Sequence, residues 1–391
     1  MISAPRCSGQ RALVVTLIVT SSGLLALAHG CGGGGGGSKP GPPGLPSRFL
    51  YASAYQETIP GSGKFTGGIY AYKFDPANGG ITVVAGSPFA TDTVGAPVAI
   101  NRDARFLYSI NFATDGSIAA FSIQVDGSLA SVPGAPFATT EPIAMLVIDP
   151  AADFLYAIAY SGDLTVYTID SSTGALTAQS TAGVAALGSP LVITPDGQRL
   201  YQISPSEIFE FSIDPATGAL KPLAGSPVAI QTNTFGPGDA AIDPSGRFIY
   251  VTNFTAFTGF GGPMYAWSID PRTGAVSPIP PFSPTAGPQA SVAVDASGKY
   301  AVVTTVVTSK TGPNCFAVLG IDPASGILSQ VPGSPFGGDC GVLVADSSGP
   351  YIYDGSSGVT VYSLDETTGI PQSVTGSALP GMVVSSLAVT H

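Results

Sequence analysis

Charge is what this sequence has least of. Only 10% of its 391 residues are Asp, Glu, Lys or Arg, against about 25% in ordinary globular domains. So few charges exclude a helical protein laced with surface ion pairs, and a 44% apolar content excludes a disordered chain. Basic residues are scarcer still. Fourteen Lys plus Arg, nowhere clustered in a chain of net charge −11, cannot supply the footprint that neutralises phosphates, so nucleic acid is not an expected partner. Histidine occurs only as His29 and His391, and there are four cysteines. With no HExxH and no Cys/His zinc spacing, neither a metal nor another cofactor is expected.

Glycine (51) and proline (35) are plentiful instead, as are the β-branched and aromatic residues that suit pleated sheets. Residues 1–30 read as an export signal: Arg6 and Arg11 precede an apolar run at 12–28, about 17 residues and short for a membrane span. The ending "LALAHGC" resembles the lipobox of bacterial lipoproteins, although Ala28 and His29 stand where Leu and a small residue are usual. On that reading Cys31 carries lipid and residues 31–46, rich in Gly and then Pro, form a tether. Plain secretion and an uncleaved anchor are the alternatives. All three put the mature chain outside the cytoplasm, in the bacterial envelope or beyond it, touching membrane only through an anchor. Cys315 and Cys340 then remain, and in that compartment they can pair. A disulfide is the first reading and free buried thiols the second.

From residue 47 to 391 the chain repeats. "RFLY" at 48–51 returns at 105–108 and, as "DFLY", "QRLY", "RFIY", "KYAV" and "PYIY", at 153–156, 198–201, 247–250, 299–302 and 350–353. Each copy follows a short apolar strand and a turn such as "DPSGR" (243–247). A third strand comes next, closed by a turn such as "SIDPRTGAV" (268–276), and then a fourth, often ending in "GSPF". Asp-Pro and Gly are the chemistry of tight hairpin turns. The strands are apolar on both faces: in "FIYVTN", Phe248, Tyr250 and Thr252 point one way and Ile249, Val251 and Asn253 the other. Sheets of that kind must be covered on both sides, and seven of them sandwiched in a ring make an all-β, seven-bladed β-propeller of four-stranded blades. The first copy lacks its leading strand, and "SLAV" (386–389) matches it. The first blade is therefore expected to be completed by the C-terminal strand, which removes an open edge.

"YVTN" (250–253), between "DPSGR" and "SIDPRTGAV", resembles the lactonase-type propellers, the 6-phosphogluconolactonase-like and YVTN-repeat proteins. The resemblance implies an activity, hydrolysis of an anionic sugar lactone by His, Arg and acidic residues near the channel mouth. This sequence departs from that pattern. His29 lies in the signal, and His391 is placed by the alignment at the Asp of the "DPSGR" turns. Arg48, Arg102, Arg105, Arg199, Arg247 and Arg272 all fall in or beside turns of one plain face. The opposite face carries the long loops 54–68, 253–263 and 304–314, and variable loops on a rigid scaffold are where function resides.

Candidate ligand-binding residues there are Asn111, Asn253, Phe254, Phe257, Asp239, Lys64 and Lys310. The asparagines end second strands, the phenylalanines could form an apolar contact surface, and the lysines are the basic residues of the long loops. Asp115, Asp163, Asp339, Glu57 and Glu207 are further loop carboxylates, most simply solvated or capping turns. A binding scaffold for an envelope protein or small ligand is the first functional reading. A lactone hydrolase is the second, and a purely structural envelope protein the third. A closed ring needs no partner to fold, so a monomer is expected.

Overall fold

The computed structural model describes residues 48–390 apart from 58–64, 76–77, 92–95, 112–115, 152, 184–189, 231–235, 254–261, 285–288, 306–310, 340 and 375–381. The proposed signal and tether, and Cys31, Lys64, Phe254, Phe257, Lys310, Cys340 and His391, lie outside the described residues.

Seven antiparallel sheets follow one another, each with its first strand innermost. Blade 5 is representative: Pro237–Ile242, Phe248–Asn253, Met264–Ile269 and Val276–Phe282 pair in that order. Blade 1 takes its second to fourth strands from Arg48–Glu57, Phe65–Phe74 and Ile81–Val83 and its first from Val383–Val389, with Leu50 opposite Val389. The C-terminal strand thus closes the ring as expected. The core is the space between blades. Phe248 and Tyr250 pack towards blade 6, while Ile249 and Val251 pack towards blade 4, so the two-faced apolar pattern is used on both sides.

The repeated Phe-x-Tyr now has a physical account. The tyrosine hydroxyl crosses to the next blade and donates to the carbonyl of the glycine in its strand-three-to-four turn. Tyr51, Tyr108, Tyr156, Tyr201 and Tyr250 reach Gly127, Gly174, Gly218, Gly274 and Gly326 at 2.7–3.0 Å. In four of these five the ring two residues earlier lies against the same glycine, and before Tyr201 that place is taken by Arg199. A Cβ on Gly326, where φ is +72°, would stand 2.4 Å from Phe248. The turn between first and second strands is held by an Asx cap: Asp243 Oδ1 accepts the N–H groups of Arg247 and Phe248 at 2.7 Å, and Asn101, Asp149 and Asp295 repeat the device. In blade 1 this position is filled by Thr390, whose hydroxyl accepts from Phe49 N at 2.7 Å. The sequence alignment that put His391 there was one residue out of register.

Two other expectations change in detail. "GSPF" is not simply the end of the fourth strand. In blades 1, 2, 4 and 6 the chain bends out through a cis X-Pro bond and then rejoins the third strand, as Phe89 opposite Ile69, Phe137 opposite Ile118 and Val228 opposite Ile208. The motif serine replaces a missing ladder acceptor, Ser226 Oγ taking Glu210 N at 2.9 Å. The long loops are also shorter than they read. The blade 1 hairpin stays in register out to Glu57 opposite Phe65, and the third strand of blade 6 starts at Thr311, because extended, β-branched and glycine residues there prolong the ladder.

Candidate functional site

The plain face is buckled shut by its basic residues. Arg48 bonds Asp346 of blade 7 at 2.5 Å. Arg199 and Arg247 donate to the carbonyls of Arg272 and Pro323 in the next blade at 3.1 and 2.7 Å, and Arg105 does the same to Ser171. Lys299 reaches the Glu366 carbonyl at 3.3 Å. These cations are seam fasteners. A groove of about 360 Å³ opens on this face between blades 2 and 3, but its Arg105 is the same fastener, stacked over Phe106. A substrate site is better sought on the loop face.

The innermost strands pose a problem on the way there. Each exposes an unpaired edge to the central channel, and its alternate N–H groups need acceptors. At four seams the preceding blade supplies an acceptor from one repeated position, four residues before the turn cap. Asp239 Oδ2 accepts Val292 N at 3.0 Å, Ser291 Oγ accepts Leu343 N at 3.0 Å, and Ser386 Oγ accepts Val98 N at 3.1 Å. Met145 Sδ stands 3.1 Å from Leu191 N in the same role. Asp239 also takes the Ser291 hydroxyl at 2.7 Å and Ala240 N at 2.8 Å. Blades 5, 6 and 7 are thereby strung together through Asp239 and Ser291.

At the loop end of blades 6 and 7 lies a second buried polar group. Gly341 donates its N–H to Asp354 Oδ1 at 3.1 Å and accepts the Thr304 hydroxyl on its carbonyl at 2.6 Å. A Cβ on Gly341 would stand 2.0 Å from the Gly355 carbonyl. Asp354 and Thr304 are fully buried. Nearby in blade 6, Cys315 is buried and disulfide-bonded.

The sequence candidates separate accordingly. Asn111 is buried and its Nδ2 donates to Ser117 Oγ at 3.0 Å, bracing its own hairpin. Asn253 is fully buried; its Oδ1 accepts Gly236 N at 2.9 Å, tying down the chain that enters blade 5. Asp239 is the seam acceptor just described. Glu207 and Asp163 lie part-exposed at the starts of third strands. None of the described candidates converges on another side chain of the set, and among the described residues no three His, Cys, Asp or Glu side chains form a metal-binding group.

Asp354, which the motifs alone do not mark, stands out once the seven copies are superimposed. The residue after the repeat's fourth position is Ala52, Ser109, Ala157, Gln202, Val251, Val303 and then Asp354. Five of these are small or apolar and Gln202 is a neutral amide, so Asp354 is the one carboxylate at this position, a departure that marks a candidate functional site. The signal was present in a position-by-position alignment of the repeats.

A family model described as lactonase, 7-bladed β-propeller, matches residues 49–384. The chain belongs to this family. No curated protein matches it. Among solved structures this lactonase-family chain is similar to a provisionally assigned 6-phosphogluconolactonase of Bacteroides uniformis, with TM-score 0.67 and 18% identity over 88% of this chain and 99% of that one. It is similar also to the periplasmic gluconolactonase of Pseudomonas aeruginosa, with TM-score 0.66 and 17% identity over 88% of this chain and 99% of the other. At such identities the likeness is one of fold. The lactonase ring is therefore secure, and its chemistry rests on the residues described above.

Proposed function

We propose that this lactonase-family propeller opens an uncharged sugar lactone at the loop-face end of its channel, with Asp354 as the carboxylate that accepts a proton from the attacking water. The observation that carries the reading is family membership across nearly the whole ring, combined with a buried carboxylate at the loop end where the repeat needs none. Water adds to the lactone carbonyl carbon as its proton passes to the carboxylate. The ring C–O bond then breaks, and the departing oxygen takes that proton to give the hydroxy acid. Asp354 is preferred to Asp239 because Asp239 already accepts three hydrogen bonds, two of them across a seam. An uncharged substrate is preferred because the described guanidiniums that bond a neighbouring blade do so on the opposite face, and Arg is the usual clamp for a phosphate. The signal-like segment at 12–28 supports action outside the cytoplasm, held by lipid at Cys31.

The purified protein is expected to hydrolyse glucono-1,5-lactone saturably, at least about tenfold faster than its 6-phosphate. Asp354→Asn should lower kcat by roughly 100-fold with an unchanged Tm. A saturable preference for the phosphate would overturn the substrate class. Absence of any turnover above spontaneous opening would favour the second reading, a binding scaffold.

A further inference from the structure

One seam of the ring is built differently from the rest. At six seams an aromatic ring lies against the turn glycine of the next blade. These are Phe49, Phe106, Phe154, Phe248, Tyr300 and Tyr351, each 2.3–2.8 Å from where that glycine's Cβ would stand. At the seam between blades 4 and 5 the ring is replaced by Arg199, whose Nε would be 2.1 Å from a Cβ on Gly274. The same seam carries a second departure. The residue opposite the repeat's fourth position on the third strand is Ala or Val in every other blade, for example Ala120 opposite Tyr108 and Ala266 opposite Tyr250, but it is Glu210 opposite Tyr201.

Glu210 is fully buried. Its Oε1 accepts Val276 N of blade 5 at 2.7 Å, and its Oε2 has no hydrogen-bond partner among the described residues. Tyr201 and Arg199 on the second strand, Asp196 in the turn before it, Glu207 on Glu210's own strand, Asp214 in the turn after that strand and Lys221 on the fourth strand are the titratable or charged groups on its own blade; Asp270 and Arg272 lie in the blade 5 turn. None of them neutralises it by a bond. Tyr201 donates to Gly274, and Arg199 points outward to the Arg272 carbonyl. An ionised carboxylate in this position would be a buried charge with one donor, an arrangement that folding disfavours strongly.

We propose that the seam between blades 4 and 5 is a pH-operated joint, closed while Glu210 is neutral and loosened, before any other seam, when Glu210 loses its proton. Loss of the proton to solvent draws the Arg199 guanidinium of the same blade away from the Arg272 carbonyl, and with it the fastener of that turn. Burial raises the Glu210 carboxyl above its ordinary value, and the Val276 N–H offsets only part of this. For an acid raised in this way, the folded state binds the proton more tightly than the unfolded chain. The stabilisation is therefore complete below the ordinary carboxylate range and is lost as pH rises through the raised value.

Hydrogen exchange on the whole protein at pH 5 and pH 8, corrected for the intrinsic rate, tests this. Peptides covering 199–213 and 264–282 are expected to lose protection by about tenfold or more at pH 8, while the matching strands of blades 2 and 3 keep theirs. Glu210→Gln should abolish the difference, and Glu210→Ala, which installs the residue of blades 2 and 5 at this position, should do so even if the glutamine is poorly accommodated. Equal loosening of all blades, or a loss confined to this seam that survives in both variants, would overturn the proposal.

Discussion

Replacing Asp239 by alanine is expected to destabilise the protein by about 3–5 kcal/mol. The change strips acceptors from three buried donors, Ala240 N, the Ser291 hydroxyl and Val292 N, and each donor left unsatisfied costs about 1–3 kcal/mol. The serine can turn towards another acceptor, while the two amides are fixed by the ladder. Asp239→Ser should recover most of the loss, because Ser291 and Ser386 perform the same task from the same repeated position with a hydroxyl alone. Urea denaturation with a common slope measures both. If the alanine variant kept its midpoint and lost ligand binding instead, Asp239 would be a recognition residue after all.

Gly326→Ala should be a costly single methyl group, at about 3–4 kcal/mol. Two costs combine. The residue sits at φ +72°, where an L side chain is strained by about 1–2 kcal/mol. The new Cβ would also lie 2.4 Å from the Phe248 ring, an overpacking worth about 1–3 kcal/mol. The backbone cannot retreat without breaking the Tyr250 hydroxyl bond to its carbonyl. Gly225 provides the control, since its φ is +94° but nothing lies within 4 Å of the added carbon. Thermal unfolding of both alanine variants should separate strain from contact. Equal losses would show that the ring contact contributes nothing.

The architecture was legible because its signals are local and repeated. Recurring turns built on Asp and Gly, several of them opening with Asp-Pro, separated by strands apolar on both faces, leave few arrangements other than a ring. The plain-face position of the arginines could likewise be read from turn spacing. What spacing could not reveal was the partner of each group across a seam. Asp239 looked like a loop carboxylate, yet its acceptors serve an N–H 53 residues away. Asp354 and Glu210 were hidden within apolar strands, where a single carboxylate reads as an edge residue until it is compared with its six counterparts. Asn111 and Asn253 were located correctly at the ends of second strands, and both bond near their own strand ends.

The first described strand begins at Arg48, fastened to the Asp346 cap of blade 7. That cap belongs to the turn-bearing side of the disc, so Arg48, the first described residue, lies on that side. A propeller held at a surface by its leading segment would therefore stand on its fasteners as on a pedestal. The opposite rim would face outward, within reach of solutes and neighbouring molecules.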